Sequence, residues 1–496
     1  MVAVGCDTFQ GFPGWLRVEH YVNFFFMILL IRSGLQILAD HPRLYWNNHC
    51  TPGSEWLRFT KVKEIPRDRV WTAVDDAVPL TSWIGLPGGR HKVGLARHWH
   101  FLCVIAWIAN GLAYVSLLFA TGQWRRLVPT SWDVFPGAWH AFVNYVTFAP
   151  LEENAFLHYN PLQQLTYFVV VLVLAPATIM TGAAMSPAID ARLPWYPRIF
   201  GGRQAARSIH FLLMAAWVAF VCVHVALVAL TGLARNMNHI VLGTDGAALL
   251  GIALGSIGIG VVVGANVLAN VISWRRPRLV QHASRVLTTP LGWLIFSRLT
   301  SRQEYRKEEI SPYFWVNGEM PTSREWTELA AHDFRDYRLE VHGLVEAPRS
   351  LSLDELRAMG KKTQITLHHC IQGWSGIAEW GGLPVAELLK AVKPLARARY
   401  LVFRSFAEGL EGGQYYDTLS LALAALPQTL LAYEMNFARL PSLHGAPLRL
   451  RVETVLGFKM VKWIRSIELV EDDRAVGEGE GGYQEDRLYF GSRAEI

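Results

Sequence analysis

The chain has 496 residues, of which 51% are hydrophobic and 19 are tryptophan, and its mean hydropathy is +0.20. That length allows two or three domains, and the positive hydropathy argues against a wholly soluble enzyme. A net charge of +6 with the basic residues gathered in loops excludes a nucleic-acid groove. The five cysteines, Cys6, Cys50, Cys103, Cys222 and Cys370, include two inside apolar runs and offer no disulfide framework.

Residues 1–17 are nearly uncharged and lead into a first apolar run, so no cleavable signal peptide is expected. A membrane span needs roughly 20 apolar residues. Five runs meet that length, at about 18–38, 98–120, 162–184, 207–231 and 246–273. The segment after the first span, to about 96, is rich in Trp, Pro and charge and is expected to fold at the membrane surface, whereas 121–161 reads as a loop. Residues 276–310, basic and then mixed in charge, are expected to form a linker lying along the lipid headgroups.

From 311 the pattern changes to short β alternations such as Arg338–Val345 and Leu448–Glu453. Ser352 with Glu355 forms a capping box, Gly360 stops that helix, and Pro384 opens another. The expected fold is therefore an all-α transmembrane bundle of five spans over 1–275, followed after the linker by an α+β domain over 311–474. The Gly- and acid-rich tail, 475–496, is expected to be flexible.

Ligand-forming side chains inside spans are expensive and mark function. His210 and His224 share the fourth span 14 residues apart, which leaves them about 40° from eclipsed and ~21 Å apart along the axis. Spans one and four run antiparallel, so His20 lies at the depth of His224; His100 and His210 both stand at the start of spans two and four, which run parallel. Two His pairs at two depths suit bis-imidazole ligation of two haem irons. The bland reading is that such histidines bond carbonyls between helices. His98 competes with His100 but lies about 160° round the helix and less deep, while His41, His91, His140 and His158 fall in loops and are expected to be solvated or structural.

The segments Ser33–Gln36 with His41–Trp46, Arg97–Phe101 and Ile209–Phe211 resemble the bacterial b561-type cytochrome subunits of thiosulfate reductases, formate dehydrogenases and nickel-iron hydrogenases, over roughly 15–235. The resemblance implies two b haems, carried onto His20, His100, His210 and His224, and exchange with a quinone or quinol.

Cys370 ends a β-like run, Gln364–Ser375, that closes in a glycine-containing turn. A lone cysteine is commonly a small buried hydrophobe, but a thiolate at a strand end can reach a metal. The run from His368 to Leu389, with Pro312–Gly318, His444–Arg449 and Gly457–Trp463, resembles the sulfite-oxidase-type molybdopterin fold. That likeness implies molybdenum on Cys370, with Asn317, His368, His444, Arg449, Lys459 and Lys462 binding the pterin and its phosphate. It also implies Tyr415 or Tyr416 as a proton donor. Soft sulfur suits such a metal, and Lys459 and Lys462 beside a glycine make a plausible phosphate seat, although such a pair is also a common solvated turn.

Sulfite-oxidising members carry arginine beside the cysteine, where this chain has His368 and His369. A neutral S- or N-oxide therefore fits better than sulfite, with Arg404 or Arg451 as other sources of positive charge. The expected function is a membrane-bound molybdoenzyme linking the quinone/quinol pool to oxygen-atom transfer on a small molecule. The alternative is a haem electron carrier whose C-terminal domain docks a partner without catalysis. Expected partners are quinone, substrate and membrane lipid but no nucleic acid, and homodimerisation stays open. Lysine and arginine concentrate in the first and third loops and after the fifth span, which points to the inner membrane with the molybdenum domain on the cytoplasmic side.

Overall fold

The computed structural model describes residues 11–66, 68–147, 149, 156–296 and 303–491. It divides into two compact units, each assembled from three stretches of chain. Unit 1 comprises Met1–Ile31, His100–Gly182 and Ile209–Val271; unit 2 comprises Arg32–Trp99, Ala183–Ser208 and Ile272–Ile496.

Among the described residues five helices are long and apolar enough to cross a membrane. In chain order the helices are α1 (Gly14–Asp40), α2 (Val93–Ala120), a shorter α3 (Val134–Val146), α4 (Pro161–Ala184), α5 (Arg203–Leu230) and α6 (Leu249–Arg275), of which α3 alone is not a span. Helices form here because lipid offers no partner for backbone N–H and C=O groups, which must be satisfied within each segment. The spans match the five expected, and the chain is a multi-pass membrane protein.

Local chemistry sets the helix ends. Asn160 and Gln163 form a reciprocal capping box at the start of α4, with Pro161 in its first turn. Val170–Leu174 widens into a π-turn just ahead of Pro176, which has no N–H to return to the ladder. Within unit 1, Trp107 donates to Asn23 Oδ1 at 3.0 Å and Trp217 to Thr178 Oγ1 at 3.1 Å, which ties α2 to α1 and α5 to α4. Helix α3 lies where a loop was expected; its Pro136 and Gly137 disguise 13 residues of helix.

Unit 2 holds two five-stranded sheets and a small hairpin of β1 (Arg43–Leu44) with β2 (Leu57–Arg58). The first sheet has the order β4 (Arg349–Ser352), β3 (Arg338–Gly343), β12 (Ile464–Val470), β7 (Tyr400–Glu408), β8 (Gln414–Ser420). The second runs β10 (Ala438–Arg439), β9 (Thr429–Met435), β6 (Ser375–Pro384), β5 (Lys362–His369), with β11 (Arg449–Val452) also on β9. All pairings are antiparallel except β12 with β3. Leu339, Val341, Leu401, Phe403 and Ile467 from one sheet share a core with Leu383, Leu431, Leu450 and Val452 from the other, each at most 1% exposed. The α+β expectation holds, and Ser352 and Glu355 do cap a helix, Leu353–Ala358.

Three features of the organisation go beyond the expected domain bounds. The two compact units cut across them, since the first and third interspan segments group with the sheets. Arg43 is wholly buried in that first segment and binds Asp76 at 2.8 Å and Glu55 at 2.7 Å, an arrangement that needs a complete tertiary shell around it. Within the expected linker, 276–310, lies a helix, α7 (Pro277–Phe296). Its Arg278 and Gln281 bond the Glu485 carbonyl at 2.8 and 3.0 Å. Finally, 477–491 is packed rather than loose, with Tyr483, Glu485, Asp486, Leu488 and Phe490 all buried. Its acidic composition suggested solvation, but Glu485 pairs with the buried Lys459, and Asp486 accepts from the Tyr416 hydroxyl and the Glu478 and Glu480 N–H groups.

Candidate redox sites

Strand β5 delivers Cys370 to a turn at the sheet end. The Cys370 N–H donates to the Trp374 carbonyl and the Gly373 N–H to the Cys370 carbonyl, both at 3.1 Å. Gly373 takes φ +114°, a conformation open to glycine but strained for other residues. The Asn317 amide donates to the Cys370 sulfur at 3.2 Å. Burial pushes the thiol up to about 12, so burial alone favours the protonated sulfur, and a cation bound there would reverse that preference.

Beside this turn lies a cavity of about 230 Å³ within unit 2. Of the expected residues, Asn317, His368, Tyr415, His444, Arg449 and Lys462 line it. His368 is oriented by Arg451, Nη1 to Nδ1 at 2.9 Å, and packs so close to Gly457 that a Cβ there would come within 2.2 Å of its ring. Burial, then the Lys462 and Arg449 charges, hold His444 down to about 3. Burial, then Arg451 and Arg449, hold His368 well below the usual imidazole range. Both rings are therefore neutral at pH 7 and can donate or accept.

Arg449 and Lys462 bring two basic side chains to the cavity. Glu453 is engaged by Arg451 at 2.7 and 3.1 Å, and among the described residues neither Arg449 nor Lys462 has an ion-pair partner. The Arg449 Nε is buried without a hydrogen bond; Lys462 bonds the Leu443 carbonyl at 3.0 Å. Burial, then the charge of Arg451 for Arg449 and of Arg449 for Lys462, depresses both well below their ordinary ranges. A bound anion would offset both the burial and the mutual repulsion and so favour the charged forms. The residues present thus fit a phosphate-bearing cofactor beside the Cys370 thiol.

Two expected residues lie elsewhere. Lys459 is enclosed by Asp417 and Glu485 at 2.5 and 2.7 Å and bonds the Gly481 carbonyl at 2.8 Å, so its ammonium is satisfied by the protein. Tyr416 follows Tyr415 on β8 and by strand alternation faces the other way, where it bonds the Asp486 carboxylate. Tyr415 lines the cavity, and its hydroxyl donates to the Phe458 carbonyl at 2.7 Å. Composition and spacing did not single out Asp40, the last residue of α1, or His91, from the first interspan segment, and both line the same cavity. His91 was expected in a solvated or structural role, and His41, placed with it, is fully buried and stacked on Tyr45.

In unit 1 the rings of His20 on α1 and His224 on α5 lie 6.1 Å apart, centroid to centroid. Two N–metal bonds of about 2 Å plus two half-rings of about 1 Å amount to roughly 6 Å, so the separation would let the two rings hold one iron between them. Phe220 stacks on His224 with centroids 5.7 Å apart. His210 Nδ1 is engaged by the Thr181 hydroxyl at 3.1 Å, which leaves Nε2 for a metal. His100 belongs to the same unit. His98, by contrast, gives its Nε2 to the Tyr489 carbonyl at 3.0 Å.

Residues 11–243 match the family model for prokaryotic cytochrome b561 and residues 326–476 that for the oxidoreductase molybdopterin binding domain. The chain is a cytochrome b561 fused to a molybdopterin-binding oxidoreductase domain. Haem b and molybdenum-pterin are accordingly the cofactors of the fusion. Similar proteins include a putative protein-methionine-sulfoxide reductase subunit YedZ1 of Azospira oryzae, 35% identical over 33% of this chain and 57% of its own length. Another is the protein-methionine-sulfoxide reductase catalytic subunit MsrP of Xanthomonas campestris, 37% identical over 35% of this chain and 57% of its own. The fusion thus spans somewhat over half the length of each. Sulfane dehydrogenase SoxCD from Paracoccus pantotrophus is 22% identical over 29% of this chain and 42% of its own, with a TM-score of 0.26.

Proposed function

We propose that the fusion is a quinol-driven reductase that removes the oxygen of a neutral S-oxide of the methionine sulfoxide class. The observation that carries this reading is the Asn317-bonded Cys370 sulfur beside a cavity lined by both cationic and apolar side chains. Arg449, Lys462, His368 and His444 suit an anionic cofactor. Much of the remaining wall is apolar, with Phe314, Trp315, Trp374, Phe458, Leu488 and Phe490, suited to a thioether or its oxide rather than an inorganic anion. The names of the two relatives point to the same substrate class.

Reduction of an S-oxide takes two electrons and two protons and releases the thioether and water. Molybdenum-pterin supplies the two-electron oxygen-atom chemistry when bound, and haem b supplies one-electron transfer from quinol. His20 with His224, and His100 with His210, would hold two irons. Cys370 would hold the molybdenum, with Asn317 bonding its sulfur. Tyr415, whose phenol burial keeps well above its ordinary range, stays protonated on the cavity wall and orders the Phe458 backbone.

Purified full-length protein tests the reading. About one molybdenum per chain, and haem reduced by quinol that is reoxidised on adding methionine sulfoxide, are expected. Cys370→Ser should abolish the reoxidation and leave the haem spectrum intact. Haem without molybdenum, or a Cys370→Ser protein that turns over at the native rate, overturns it and favours an electron carrier.

A further inference from the structure

The turn that presents Cys370 is held from outside the sheet domain. Gln204, in the first turn of α5 and wholly buried, donates through Nε2 to the Gly373 carbonyl at 2.8 Å and the Ser375 hydroxyl at 3.1 Å. Arg203 Nη1 reaches the same carbonyl at 3.2 Å, so both lone pairs of that oxygen are engaged. The Ser375 hydroxyl donates in turn to the Asn48 carbonyl at 2.9 Å, and the Asn48 side chain accepts the Gln204 backbone N–H at 3.1 Å. Gln372 donates to the Ala73 carbonyl at 3.2 Å. Gln204, Asn48 and Ala73 all lie outside residues 326–476, the stretch that matches the molybdopterin-binding domain.

The turn's own hydrogen bonds close only the loop from Cys370 to Trp374. Gly373 is the residue with the widest backbone freedom in that loop, and its carbonyl is where α5 takes hold. A buried carbonyl left with one long partner shifts to recover a second, because an unsatisfied acceptor in a low-dielectric site costs about 1–3 kcal/mol. Such a shift, two bonds from the turn's hinge, reorients the Cα–Cβ vector of Cys370 and with it the sulfur.

We propose that Gln204 is a positioning residue for the metal-binding thiolate: through Gly373 and Ser375 it sets the direction in which the Cys370 sulfur meets the metal. The orientation thereby depends on the first turn of α5 as well as on the turn's own hydrogen bonds. This rests on the reading of Cys370 as the molybdenum ligand.

The test uses full-length protein loaded with both cofactors. Gln204→Leu keeps the bulk and removes the donor. Expected results are native haem absorption and molybdenum content, altered g-values of the Mo(V) electron paramagnetic resonance signal, and kcat lower by about tenfold with KM within about twofold. Ser375→Ala, which removes the second acceptor and disturbs packing little, should shift the g-values in the same direction by a smaller amount. Native g-values and kcat in Gln204→Leu, or in Ser375→Ala should the first variant fail to accumulate, overturn the proposal. Cys370→Ser separates the two levels. A Mo(V) signal unchanged by Cys370→Ser removes the ligand assignment itself, whereas one changed by Cys370→Ser but not by Gln204→Leu removes only the positioning role.

Discussion

Replacing Lys459 by methionine distinguishes a structural ammonium from a cofactor anchor. Lys459, Asp417 and Glu485 have side chains 4%, 1% and 0% exposed, so solvent screens the cluster little. Burial lowers the lysine's pKa, but the two adjacent carboxylates outweigh it and hold the ammonium charged. Burial and the like charge of Glu485 push Asp417 upward even with the lysine present. Removing the cation leaves two carboxylates buried together, and breaking a buried pair in this way costs about 3–5 kcal/mol. Glu485 and the Gly481 carbonyl both belong to the 477–491 segment, so the loss falls there. By the usual exponential relation, amide protection in that segment should drop by between about a hundredfold and a few thousandfold. Without Lys459 the carboxyl pKa values rise further, so the defect should deepen as the pH is raised and the carboxyls lose the protons that neutralise them. Hydrogen exchange with mass spectrometry on the full chain reads this directly. Adding Asp417→Asn and Glu485→Gln should restore most of the protection, since a neutral, well-packed cluster is tolerated. Protection within about threefold of native in the single variant would refute the structural reasoning, and loss of molybdenum without loss of protection would reinstate Lys459 as a phosphate ligand.

Burial raises the Asp190 carboxyl to about 6 from 3.8, against the attraction of Arg203 and Arg198. Its stabilising contribution is therefore present below about pH 4 and lost as pH rises through 6, a difference of at most about 3 kcal/mol at neutral pH. Asp190→Asn should flatten the pH dependence of the melting temperature between 4 and 6.5, and a slope equal to native contradicts the assignment. For the haems, His20→Ala should remove one low-spin signal from the reduced-minus-oxidised spectrum, whereas His98→Gln should retain every haem because His98 already serves the Tyr489 carbonyl. The opposite pattern would exchange their roles.

The spans were legible because lipid enforces helix and apolar composition together, so each is written in its own 20-odd residues. Cys370 at a strand end was legible for a similar reason: alternation and a following glycine are local signals. The choice between neighbours was not. Tyr415 and Tyr416 differ only in which face of β8 they occupy, and Lys459 and Lys462 differ only in whether carboxylates 42 and 26 residues away close round the ammonium. Short-range patterns carry no record of either.

The amino-acid sequence by itself determined the membrane bundle, the α+β domain and the residue types at the two kinds of redox site, because each follows from local periodicity or from a motif contiguous along the chain. Only the tertiary structure decided that the first and third interspan segments fold with the sheets, and that Gln204 and Arg203 hold the cysteine turn. Arg43, Arg203 and Arg278, part of the charge bias that suggested an orientation in the membrane, are bonded into unit 2. Such charges are placed by partners distant in sequence, so their positions along the chain report the demands of packing as well as those of topology.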